Sequence, residues 1–391
     1  MMTNQDFTRN EHRRLLNLIS SGIDLCFNLG SKLELKGESE EYFDQYCFNY
    51  FLRQVDSIDT CMGLICEGKY AECFRIIRSV FEHYLLFLLI TKGYVFEEIY
   101  ELRPPQGVTK KDLFKKIEPR LQENKDILDF EFKGKSLFVR RRGIKSSNGE
   151  NKRIIPMYYF VLNEYDPILH WVQRIPEIQQ AELFPQRDQD LIKYHAHLYS
   201  VYLNIKAVIK GLKINKIVDD SVETRIIVHY NFLSLFVHPS SRSNEILEGK
   251  RPRHPFQKQI IYMRRYDHYI SECLLLYSLF LLKYFLDEIL SFLSYNYYIK
   301  DHQLFDSFKR QTKQFDYFWF LDEHPHEYDY HCFETLRVYK MRQGKKAPNK
   351  IPYYKNPLER LIKLHRSQTE LTTGQTYQSP FPRDDAEYAT Y

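Results

Sequence analysis

The sequence predicts an all-α chain: a multi-helix bundle that carries a small basic, partly β insertion. Three observations predict it. Long stretches place apolar residues at helical spacing between Ser, Thr or Asp starts and Gly stops. The stretch 94–165 breaks that texture with Pro, Gly and a run of cations. Hydrophobic residues are 43 % and aromatics 16 % of the 391 residues, enough for a sizeable core.

The elements follow in order. Phe7 to Leu29 reads as a helix, opened by Thr8 with Glu11 and stopped by Gly30. Its core stripe is Leu15, Leu18, Ile19, Ile23 and Cys26. The segment LELKGESE reads as a loop. Glu40 to Cys66 is the next helix, with Tyr42, Tyr46, Tyr50, Val55, Ile58, Met62 and Ile65 as candidate core positions. Glu67-Gly68 is a tight break, so the helix Lys69–Gly93 returns antiparallel. Thr109 and Asp112 cap a helix through Glu123. Alternation around Phe130 and Phe132, a turn at Gly134 and a return through Leu137, Phe138 and Val139 predict a hairpin. Further helices are expected at 188–210, from Asp220 towards Pro239, at 258–293, 302–315, 330–341 and 357–366. Residues from Gln368 onward show no periodicity. Five regions result: 1–93 and 166–300 as two parts of the bundle, 94–165 as the insertion, 301–366 as an aromatic-rich helical region, and 367–391 as a tail.

The totals narrow the function classes. Lys and Arg exceed Asp and Glu by 56 to 51, an excess that neither demands nor excludes nucleic acid. Seven cysteines without a CxxC pattern suit a reducing cytoplasm, and those of the first hundred residues read as small buried hydrophobes. The polar N-terminus and the interrupted apolar runs predict a cytoplasmic protein with no membrane association.

Candidate chemistry lies first on the helix from Lys69. Arg75, Arg78 and Glu82 share one stripe of an apolar helix, where charges are costly unless paired or used. They either form a buried ion-pair ladder or hold a substrate phosphate. Arg78 and His83 have the form Arg-x4-His, which suits metal-free RNA cleavage with His as acid or base. Residues five apart point about 140° away from each other, so one site would need a bend or a dimer partner. A second group, Tyr230, Ser234 and His238, shares a face of the helix before Pro239, and Ser240 follows it. These residues either satisfy a neighbouring helix or bind phosphate. Arg225 and His229 on that helix read as surface groups. His324, His326 and His331 with Glu327 and Asp329 fall short of HExxH; such a run could bind zinc or manganese, but it reads as a loop or solvated surface, and no metal site and no cofactor are expected. Basic runs at 133–153, including Arg141 and Arg142, and at 250–265 could track a phosphate backbone or be solvated loops.

Two of these pieces carry a resemblance. EGKYAECFRIIRSVFEHYLLFLLI (67–90), with Arg78 and Glu82, and the later Tyr230-x3-Ser234-x3-His238-x-Ser240 resemble an uncharacterised bacterial helical domain-of-unknown-function family. That family is similar to the HEPN domains, many of which are dimeric RNases of toxin–antitoxin and antiviral defence systems. The resemblance implies an HEPN-like bundle that binds RNA or another nucleic acid. Arg78, His83, His238 and Glu82 would be the catalytic residues. Arg75, Tyr230, Ser234, Ser240, Arg141 and Arg142 would bind substrate. A homodimer or a partner protein would complete it. The alternative is a non-enzymatic helical interaction module of a multi-protein complex, using the aromatic C-terminal region as its contact surface.

Overall fold

The computed structural model describes residues 4–36, 41–93, 97–102, 107–123, 127–133, 136–142, 204–237, 247 and 268–373. Among these the chain is mostly helical. The elements are α1 (Asn4–Phe27), β1 (Leu33–Leu35), α2 (Glu41–Cys66), α3 (Tyr70–Lys92), β2 (Glu97–Leu102), α4 (Lys110–Glu123), β3 (Ile127–Lys133), β4 (Ser136–Arg142), α5 (Ile205–Ile214), α6 (Asp220–Ser234), α7 (His268–Leu293), β5 (Tyr297–Ile299), α8 (His302–Thr312), α9 (Glu327–Arg342) and α10 (Pro357–Thr373). No described helix is long and apolar enough to cross a membrane. The chain divides into two compact units, one of residues 1–84 and 220–391, the other of 85–219, with the division falling inside α3.

The first unit is built around α7. Its apolar residues run all round the helix, and the stretch from Tyr269 to Phe285 is buried except for Lys283. A helix without a polar face must be covered on every side. In this unit α1, α2, α8 and α10 pack against it. The expected stripe of α1, Leu15, Leu18, Ile19, Ile23 and Cys26, is buried. In α2, Val55, Ile58, Met62 and Ile65 are buried as expected, but its first half departs from expectation. There the inward positions are Asp44, Cys47 and Phe51, while Tyr46 is exposed. Asp44 accepts a hydrogen bond from Asn296 Nδ2 at 2.7 Å, so a carboxylate takes an inward place. Cys26, Cys47, Cys61 and Cys73 are buried; Cys66 is exposed, because it lies at the end of α2. The break after Cys66 is a hydrogen-bonded cap. Gly68 adopts φ 72°, and the Lys69 amide reaches back to the Leu64 carbonyl at 2.9 Å.

Leu33–Leu35 is a strand rather than a loop. It pairs antiparallel with β5, Leu33 opposite Ile299. The signal was hidden because its partner lies more than 250 residues away. Past α8 a 3-10 turn, Lys313–Phe315, leads to an aromatic segment with Phe318, Trp319 and Phe320 buried. Helix α9 begins at Glu327, earlier than the expected 330, because His326 caps it: His326 Nδ1 accepts from the Tyr328 amide, and Asp329 Oδ2 accepts from the His326 amide. Helix α10 continues to Thr373, beyond the expected start of the tail at 368.

The second unit holds the last turns of α3, α4, α5 and a three-stranded antiparallel sheet ordered β2-β4-β3. The hairpin expected around Phe130 is β3 with β4, Phe130 opposite Val139. Strand β2 was not foreseen. Its register sets Glu97 opposite Arg142 and Glu98 opposite Arg141. Thr109 Oγ1 accepts from the Asp112 amide, the cap expected for α4. Gly211 of α5 lies where an added Cβ would come within 3.0 Å of Leu89 Cδ2. The helix expected at 188–210 is met only at its end: Asn204 caps α5, which starts at Ile205 and runs through Gly211 to Ile214. Residues 188–203, the basic loop 143–153 and the segment 250–265 lie outside the described residues.

Gly22 tests the packing of α1. A Cβ there would lie 2.6 Å from the buried Phe308 ring and 2.8 Å from Leu282. Gly22→Ala gains about 1 kcal/mol of helix propensity. Forced repacking costs about 1–3 kcal/mol. The variant is expected to be less stable in urea denaturation, against the ordinary gain of Gly→Ala in a helix.

Candidate functional site

Two charged clusters meet the sequence candidates. The first lies where α3 faces α6. Arg78 Nη2 donates to Glu82 Oε1 at 3.0 Å, one turn on, and to Tyr230 Oη of α6 at 2.7 Å. The guanidinium also lies over the Tyr230 ring, 5.0 Å from its centroid. The Arg78 side chain is 18 % exposed and that of Glu82 38 %. Two motifs separated by 152 positions thus form one unit. The helix backbone sets it up. Arg78 and Glu82 are four apart and share a stripe, and the stacked pair Phe74–Phe236, 3.7 Å between centroids, holds α6 beside that stripe.

Arg78 is held but not saturated. A guanidinium carries five N–H donors, and here one nitrogen makes both contacts. Its buried Nε has no partner among the described residues, and neither does the buried Ser234 Oγ, one turn past Tyr230. Spare donors beside a fixed charge are what an oxyanion requires.

The remaining candidates separate from this unit. Arg75 does not join a buried ladder; it is 55 % exposed and pairs loosely with Glu72 at 3.6 Å. His83 faces α2, where its Nδ1 lies 2.6 Å from Tyr50 Oη and the two rings meet edge-on. Burial lowers its pKa, so it is neutral at physiological pH. His238 and Ser240 lie outside the described residues. Arg141 and Arg142 lie on β4 at register positions opposite two glutamates. Among the described residues no cluster of His, Cys, Asp and Glu is suited to a metal. His324 and His331 are exposed, and His326 is engaged as the α9 cap.

The second cluster corrects the expectation for His229 and Arg225. His229 is fully buried, not a surface group. It lies on the inward stripe of α6 with Ile226, Phe232 and Leu233. That stripe was the available signal, since a histidine at an apolar step of a helix faces the core. Its Nδ1 lies 2.6 Å from Tyr277 Oη of α7, and its Nε2 lies 2.5 Å from Tyr353 Oη. Tyr353 donates onward to Tyr354 Oη at 2.8 Å, and Tyr354 donates to the Trp319 carbonyl. Donor counting assigns the proton to Nε2: each hydroxyl then donates once along the chain, and Tyr277 donates to Nδ1. Burial, then the Arg360 and Arg225 charges, hold the His229 pKa well below its ordinary value of 6.5. Arg225 is no surface group either; its Nη1 donates to the Leu321 and Glu323 carbonyls.

Beneath the tyrosines lies a buried ion pair. Arg360 of α10 forks onto Asp329, Nε to Oδ1 at 2.8 Å and Nη2 to Oδ2 at 2.5 Å, and its Nη1 donates to the Tyr317 carbonyl at 2.6 Å. Near the other end of this core, Glu272 accepts from His365 Nε2 at 2.9 Å and from Tyr317 Oη at 2.8 Å. Burial alone would raise the Glu272 pKa, but His365 and these hydrogen bonds together bring it down to about 2. Arg360, Asp329 and Glu272 are all buried, so these pairs belong to the packed interior rather than to a surface a substrate can reach. Comparison with protein-family models, curated proteins and solved structures returns no match to this chain.

The histidine network makes a pH prediction. His229 folds neutral with a depressed pKa, so the unfolded chain binds one more proton below pH 6.5. Stability from this group is therefore complete above 6.5 and falls as the pH drops, by up to about 1.4 kcal/mol per pH unit. Urea midpoints between pH 7.5 and 5.5 are expected to decline accordingly. His229→Gln, which cannot be protonated, is expected to flatten that decline. An identical slope in the variant would assign the effect elsewhere.

Proposed function

We propose that this chain is an HEPN-like nucleic-acid-binding effector in which Arg78, oriented by Glu82 and Tyr230, is the group that holds a backbone phosphate. The observation that carries this reading is the half-buried guanidinium with two fixed contacts and spare donors. A guanidinium kept in place by a carboxylate and a phenol loses little side-chain freedom when an anion arrives. Its remaining N–H groups suit a phosphate oxygen.

Metal-independent RNA cleavage asks for more: an acid–base group beside the phosphate. His83 is turned to Tyr50 and His229 is enclosed by tyrosines, so neither serves Arg78. Of the histidines on or beside α3 and α6 that the sequence singles out, His238, eight residues past Tyr230, is the remaining candidate for that role. These same observations favour the second reading, a non-enzymatic helical module in which Arg78 joins α3 to α6. The defence or toxin–antitoxin setting rests on the family resemblance alone.

The test is retention and cleavage of labelled RNA by the purified protein and by Arg78→Ala, Arg78→Lys and His238→Ala, with a thermal melt of each. Arg78→Lys keeps a charge but loses the fork. Its RNA affinity is expected to fall about tenfold with little loss of melting temperature. His238→Ala is expected to abolish cleavage and spare binding. Binding equal to wild type in both Arg78 variants would sink the phosphate assignment. Loss of binding strictly in step with melting temperature would reduce Arg78 to a helix clamp.

A further inference from the structure

The cations between Arg337 and Lys355 belong to neither cluster. The stretch carries Arg337, Lys340, Arg342, Lys345, Lys346, Lys350 and Lys355, and no Asp or Glu lies between Glu334 and Glu359. Those seven cations exceed the net charge of the whole chain, +5, so the other residues together are net −2. All but Lys340 are exposed, and only Arg337 has an acid partner, Glu334, among the described residues. Large apolar side chains stand among them in solvent. Tyr339 is 57 % exposed, Met341 62 % and Val338 43 %.

This stretch is a fixed feature. At its start α9 is capped by His326, and Asp329 is held by Arg360. At its end Tyr353 and Tyr354 are tied into the His229 network. Between these anchors α9 exposes nearly every residue past Asp329, and the chain from Gln343 to Lys350 runs over the surface.

A polyanion fits this charge. Two kinds are distinguished by the aromatics and by the shape of α9. A membrane-lying helix needs one apolar face opposite a charged one. In α9 the exposed apolar residues, Tyr330, Leu336, Val338, Tyr339 and Met341, are spread around the helix, so none is available. Cations interleaved with an exposed tyrosine instead match single-stranded nucleic acid, whose phosphates pair with Lys and Arg while bases stack on rings. We propose that the Arg337–Lys355 arm is a sequence-independent binding surface for single-stranded RNA, with Lys345, Lys346 and Lys350 on phosphates and Tyr339 as a stacking ring. It stands on the arm's own charge and exposure and does not depend on the role of Arg78.

Fluorescence anisotropy of a labelled oligouridylate of about 12 nucleotides tests it, with the full chain and a salt series. The triple variant Lys345→Ala, Lys346→Ala, Lys350→Ala removes only exposed side chains. It is expected to weaken binding at least about tenfold and to make the slope of log affinity against log salt shallower by about 2. Tyr339→Ala is expected to weaken binding about fivefold or more with the salt slope unchanged. Wild-type affinity in the triple variant would overturn the proposal. So would binding to phosphatidylserine vesicles or polyglutamate as strong as to RNA, which would reassign the arm to membranes or acidic proteins. A loss confined to Arg78→Ala overturns the arm and leaves the Arg78 site standing; the converse pattern does the reverse.

Discussion

Burying α7 takes Ser271, Glu272, Tyr277 and Ser278 out of water, and each would cost about 1–3 kcal/mol if left without a partner. Ser278 bonds back to its own helix at Leu274. The others are answered from elsewhere. Tyr70 of α3 meets Ser271, His365 of α10 and Tyr317 meet Glu272, and His229 of α6 meets Tyr277. Lys283, the cation at the edge of the apolar stretch, reaches Glu323 at 2.5 Å. The apolar surface of α7 attracts its neighbours without direction, and these few polar partners fix which neighbour sits where.

That constraint explains why the two histidines of the central helices differ from a catalytic one. His229 and His83 are both neutral, both bonded to a tyrosine, and both part of a helix-to-helix joint. Arg78 differs from these two histidines. It is anchored like the others, yet a fully charged group at an edge of partial exposure keeps donors in reserve. The joint and the reserve are compatible, because the contacts to Glu82 and Tyr230 use one nitrogen of three.

Much of this was legible in the sequence, for definable reasons. Helices declared themselves by period and by caps, so α1, α3, α4 and α7 follow the spacing of their own residues. The Arg78–Glu82 pair was legible because four residues make one turn. Its meeting with Tyr230 was readable only as a shared oddity of two distant helices. What escaped depends on partners remote in the chain. The β1–β5 pairing needs residues from both ends, and β2 reads as a polar segment until β4 lies beside it. His229 departs from a surface position because it falls on the Ile226–Leu233 stripe, which faces the core. The cation run of 337–355 escaped because it straddles the end of a helix and a Pro-containing connection, neither of which is conspicuously basic alone.

The Arg360–Asp329 fork has a consequence for what happens if the chain is cut. Lys345-Lys346 is exposed and suits a trypsin-like protease. A nick there would separate α10 from α9 covalently, yet Arg360 would still grip Asp329 on one side, and Tyr353 and Tyr354 would still hold His229 and Trp319 on the other. The fragment beyond the nick would stay seated, as a non-covalent complement to the body. A molecule that looks cleaved on a denaturing gel would then elute as one particle, and the two halves of the basic arm would remain side by side.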